Sequence, residues 1–73
     1  MSYMQSDTAT TVKIATTILS RLAGGPSYRT QIINFPALQS IDALHIYEVL
    51  DTLVDQGLIA QVGLSSDPKY KMV

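Results

Sequence analysis

The stretch Tyr47-Glu48-Val49-Leu50-Asp51-Thr52-Leu53-Val54-Asp55-Gln56-Gly57-Leu58-Ile59 decides how the rest of the chain is read. Its apolar residues recur at three- and four-residue spacing, the period of a helix with one buried side. Gly57 closes that pattern, because glycine adopts the left-handed backbone of a helix C-cap without strain. The expectation is that Leu58 packs back on the last turn. Two apolar residues, Leu58 and Ile59, then change the period and open a strand.

Working back from this stretch, Ser40 is placed to cap the helix, which is expected from Ile41 to about Gln56. Ala43, Ile46, Tyr47, Leu50, Leu53 and Val54 form its apolar face. Ile41, His45, Glu48, Thr52 and Asp55 fall on the opposite face, with Asp42, Val49 and Asp51 at the borders. Tyr47 belongs either to the core or to an interface. Pro36 disfavours helical geometry at Phe35, so the preceding helix, opened by Thr30 and carrying Ile32 and Ile33, must be short. Leu38 fills the core from the turn. Ser27-Tyr28-Arg29 reads as a short strand, after the helix stop Gly24-Gly25-Pro26. Before that stop, Ile14, Ala15, Ile18, Leu19 and Leu22 lie on one helical face, with Asp7 or Thr8 as the N-cap. Residues 1–7 carry little patterning and are expected to be a flexible tail, leaving 8–73 as the domain.

Working forward, Leu58–Val62 and Lys69–Val73 read as the two strands of a hairpin around a turn ending in Asp67-Pro68. The order is helix, short strand, helix, helix, strand, strand. The fold class is therefore α+β and mainly helical: three helices plus a C-terminal β-hairpin.

This order, and the leucine-rich helix end running through Gly57 into Leu58-Ile59, resemble a winged helix-turn-helix domain, the hairpin being the wing. The resemblance covers roughly residues 10 to 73. It implies a regulatory module without catalysis, with the third helix as the recognition element. Such domains serve as DNA readers, RNA binders and purely protein-binding modules, so the fold alone does not choose among them.

Composition bounds the rest. The chain has 73 residues, enough for one domain with a thin core. It has no cysteine and a single histidine, so neither a disulfide nor a thiolate or all-histidine metal site is expected. No apolar run approaches a membrane span or a signal-peptide core, and the expectation is a cytoplasmic protein. No serine lies in a nucleophile motif, and Gly24-Gly25 lacks the Lys-Ser/Thr sequel of a phosphate loop. The sequence therefore predicts no enzyme, no metal and no cofactor.

Only 15% of residues are charged, against the usual ~25%. They are also unevenly placed. Between Arg29 and Lys69 there is no basic residue, whereas Asp42, Glu48, Asp51, Asp55 and Asp67 all lie there. A recognition helix carrying carboxylates and no base repels phosphate, and phosphate neutralisation dominates duplex affinity. Two functions follow as expectations. The first is a protein-interaction module, dimerising with itself or docking on another protein of a transcription or nucleic-acid-processing assembly through Ile41, His45, Glu48, Val49 and Thr52. The second is a dimeric DNA-binding transcription regulator that uses the third helix and the wing, with Arg29, Lys69 and Lys71 on phosphates.

Overall fold

The computed structural model describes the backbone of residues 2–63 and 66–73, and side chains from residue 8 onward, Leu64 and Ser65 excepted. Among these residues there are three α-helices: α1 (Ser2–Leu22), α2 (Arg29–Ile33) and α3 (Ala43–Asp55). Three strands, β1 (Ser27–Tyr28), β2 (Ile59–Val62) and β3 (Lys69–Met72), form one antiparallel sheet in the order β1-β3-β2. A 3-10 turn at Pro36–Leu38 joins α2 to α3. The chain is α+β and mainly helical, with the sheet made largely by the C-terminal hairpin.

One core unites these elements. Ile14, Ile18 and Leu22 of α1 meet Ile32 of α2, Leu38 of the 3-10 turn, Ile46, Val49, Leu50 and Leu53 of α3, and Ile59 and Tyr70 of the sheet. The i, i+4, i+8 spacing of Ile14, Ile18 and Leu22 gives α1 a single buried stripe, and its threonine-rich remainder meets solvent. Burial against this stripe holds α1, because threonine disfavours the helix on its own.

Several boundaries differ from expectation for local reasons. The backbone of α1 is already helical at Ser2, so neither Asp7 nor Thr8 is its N-cap. The expected flexible tail, 1–7, bears on side chains outside the described residues. α3 starts at Ala43 rather than Ile41. Its cap is Asp42, whose carboxylate accepts from the Leu44 N–H at 3.2 Å. Ile41 is held in the preceding turn, where its N–H donates to the Leu38 carbonyl at 3.1 Å.

The far end of α3 follows its sequence closely. The Gly57 N–H donates to the Val54 carbonyl and the Leu58 N–H to the Leu53 carbonyl, both at 3.0 Å. This crossed pair satisfies the last carbonyls of the helix and needs the left-handed backbone of Gly57, at φ 78°. The Leu58 backbone thus turns back on the helix, but its side chain, expected to pack there, is 45% exposed.

Candidate functional site

α3 presents two very different sides. Ile46, Val49, Leu50 and Leu53 are buried. Leu44, Glu48, Asp51, Thr52 and Asp55 are exposed and lie along one helical stripe. Val49, expected on the outward surface, is only 4% exposed. It lies three residues after Ile46 and four before Leu53, so it shares their stripe and belongs to the core. Ile41 is half-buried against the same core.

His45, the third expected interface residue, is half-buried, and its Nε2 is 2.9 Å from the Thr11 Oγ1 of α1. It fastens α3 to α1. Of the five expected interface residues, only Glu48 and Thr52 are fully on the surface, and the Thr52 hydroxyl donates to the Glu48 carbonyl within the helix. The outward stripe gains Leu44 instead, 67% exposed in the first turn. Its i, i+4, i+8 spacing with the exposed Glu48 and Thr52 is the signal the sequence carries.

The stripe is acidic. Glu48 and Asp51 are three residues apart, Asp51 and Asp55 four, so each pair shares a side of the helix. Among the described residues no salt bridge engages these carboxylates, and no group of three or more His, Cys, Asp or Glu side chains could hold a metal ion.

The three basic residues expected on phosphates, Arg29, Lys69 and Lys71, divide between the two sides of the sheet. On β3, Lys69 and Lys71 alternate with Tyr70, which is fully buried, so both lysines face away from the core. In the antiparallel register Lys69 lies opposite Tyr28 on one side and Val62 on the other, and Lys71 lies opposite Ala60. The Lys69 ammonium sits 5.1 Å from the centre of the Tyr28 ring. A shallow hollow of about 400 Å³ opens beside this row, lined by Tyr28, Val62, Gly63, Ser66, Asp67 and Lys69. The Asp67 carboxylate at its edge is already engaged, accepting from the Thr30 N–H and hydroxyl at 3.3 and 3.1 Å.

Arg29, expected beside Lys69 and Lys71 as a phosphate contact, is turned the other way. Its Nη2 donates to the Tyr70 hydroxyl at 2.9 Å, and its guanidinium carbon lies 4.9 Å from the Tyr47 ring centre and 5.9 Å from that of Tyr70. The Nε is buried without a partner. The hydrogen bond to Tyr70 is the main cause holding the Arg29 pKa above its ordinary value. Tyr70, Tyr47 and Asp51 add electrostatic support, opposed by desolvation. Sequence spacing could not separate Arg29 from the two lysines, because the separation arises from the pleat of β3 and the stacking on Tyr47.

No helix among the described residues is long and apolar enough to cross a membrane. No protein-family model matches the chain, and no curated protein or solved structure matches it significantly.

Proposed function

We propose that this chain is a winged helix-turn-helix regulatory module, without catalytic activity, that works mainly through protein contacts. Support for the winged-helix reading comes from the element order and from the β1-β3-β2 sheet, in which the strand after α1 pairs with the last strand of the hairpin. The observation that carries the functional reading is the outer stripe of α3. Where a DNA reader of this architecture presents basic and amide side chains, this helix presents Glu48, Asp51 and Asp55 beside Leu44. An acidic stripe with one exposed leucine fits a basic protein surface with an apolar recess.

A dimeric DNA-binding regulator is the second reading, favoured by Lys69 and Lys71 standing side by side on the outer face of the wing. Duplex binding separates the two. Random duplex DNA should show no binding at about 50 mM salt that weakens at about 200 mM, the signature of counterion release. Salt-sensitive binding that disappears in a Lys69→Glu/Lys71→Glu variant would establish the DNA reading instead. Proteins copurifying with the wild type from its native cells should be lost from a folded Glu48→Arg/Asp55→Arg variant.

A further inference from the structure

β2 is an edge strand, and its sequence does nothing to protect that edge. With the order β1-β3-β2, its only strand partner among the described residues is β3. Natural edge strands are blunted by lysine, proline, bulges or inward charges. Ile59-Ala60-Gln61-Val62 carries none of these, and both lysines of the hairpin are on the central strand, β3. Leu58 and Val62 flank the edge at 45% and 38% exposure.

The hydrogen-bond phase shows which groups the edge offers. The Val73 N–H donates to the Leu58 carbonyl at 3.4 Å, so Leu58 and Val73 form a hydrogen-bonded pair. Antiparallel pairs alternate between bonded and non-bonded. In the observed register, Ala60↔Lys71 and Val62↔Lys69 are therefore the bonded pairs, while Ile59 and Gln61 point their N–H and C=O groups away from β3. Among the described residues no hydrogen bond reaches those outward groups.

We propose that this edge pairs with the β2 of a second copy of the same chain, antiparallel about a two-fold axis through Ala60, to make a continuous six-stranded sheet. In that register Ile59 faces Gln61 of the other copy, and the reverse, so the outward groups of both residues form bonded pairs. Ala60 then faces its own copy at a non-bonded pair, where Cα atoms approach to about 4.5 Å and a methyl side chain fits. Leu58 faces Val62 across the seam at both ends, so the exposed apolar residues cover one another on one face of the sheet.

The register is self-complementary, with Ala60 at the two-fold and Leu58 against Val62 at both ends, and charge permits a second copy. Identical strands bring identical charges together, and a strand with none is the kind that tolerates its own copy. The nearest like charges, on the two β3 strands, are three strand spacings apart, about 14 Å, beyond the ~8 Å screening length at physiological salt. The pairing is isologous and uses up the β2 edge on both chains, so it closes at a dimer. It involves no residue of the α3 stripe and stands whatever that stripe contacts. Five residues a side is a small interface, so dimers should appear only in concentrated solution.

The chain has no cysteine, which permits a clean test. In Ala60→Cys the two thiols would meet at the two-fold with the Cα separation a disulfide needs. Under mild oxidation this variant should form covalent dimer about ten-fold faster than Thr16→Cys, an exposed control on α1, because pairing pre-positions its thiols. Adding Gln61→Pro should reduce the rate to that of the control, since it removes an outward N–H while leaving the bonds to β3 intact. The unmodified chain should rise from one to two chains' mass between about 0.02 and 1 mM. Equal rates for Ala60→Cys and Thr16→Cys, or a monomer at the upper concentration, would overturn the proposal. If circular dichroism shows Gln61→Pro unfolded, the comparison of the two cysteine variants decides alone.

Discussion

Arg29 shows how a single side chain changes its meaning once its neighbours are known. Its guanidinium lies against the Tyr47 ring and bonds the Tyr70 hydroxyl, while its N–H donates to the Pro68 carbonyl at 2.9 Å. It therefore ties the start of α2 to both α3 and the hairpin. A hydrogen bond to a charged group contributes about 1.5–3 kcal/mol, and stacking on an aromatic face about 0.5–1 kcal/mol more. Arg29→Ala should cost about 2–3 kcal/mol in urea unfolding and Tyr70→Phe about 1–2 kcal/mol. The Arg29 pKa is raised in the folded chain, so its contribution is present below the unfolded pKa and is lost only as pH rises through the folded one. Both lie in the strongly alkaline range, and the Arg29→Ala deficit should be the same at about pH 5 and pH 9. A deficit that shrinks between those values would mean that another titrating group is involved.

At the scale of elements, α3 carries most of what the sequence made legible and most of what it hid. Its C-terminus could be read from Gly57 alone, because few residues accept a left-handed backbone. No atom stands within 4 Å of where a Gly57 side chain would begin. Gly57→Ala should therefore cost about 1 kcal/mol, from the backbone alone and without a packing penalty. The N-terminus is ambiguous in sequence because Ser40 and Asp42 are both good caps, and the turn hydrogen bond from the Ile41 N–H to the Leu38 carbonyl decides for Asp42. The position of Val49 is ambiguous for a related reason. A border position on a helix is buried or exposed according to how far neighbouring elements wrap around it, and Val49 here is closed into the common core. The division of Arg29 from Lys69 and Lys71 is a tertiary fact that spacing does not encode. Asp55 ends the helix where the macrodipole disfavours a carboxylate, and it lies one turn after Asp51. Asp55→Lys should reverse both effects and stabilise the domain by about 0.5–1 kcal/mol in urea unfolding.

Across the whole molecule, charge is scarce but separated, with the outer stripe of α3 acidic and the outer face of the hairpin basic. Salt then has a definite sign. A domain held by surface ion pairs weakens as salt screens them, but no salt bridge forms among the described residues, and the attraction between Arg29 and Asp51 is the smallest of the influences on Arg29. Glu48–Asp51 and Asp51–Asp55 are like-charge neighbours, each destabilising by about 0.2–0.5 kcal/mol at low ionic strength. Raising salt from about 0.01 to 0.15 M shortens the screening length from about 30 to 8 Å and should relieve part of that repulsion. For a domain of this size the gain corresponds to a rise in melting temperature of about 2–5 °C. Asp55→Lys turns one of the two repulsive pairs into an attractive one that salt weakens, so its melting temperature should start higher and respond little to salt. A melting temperature that falls with added salt would show that attraction, not repulsion, dominates the surface. A rise confined to the wild type would identify the acidic stripe of α3 as the source, a stripe that lowers the stability of the free chain.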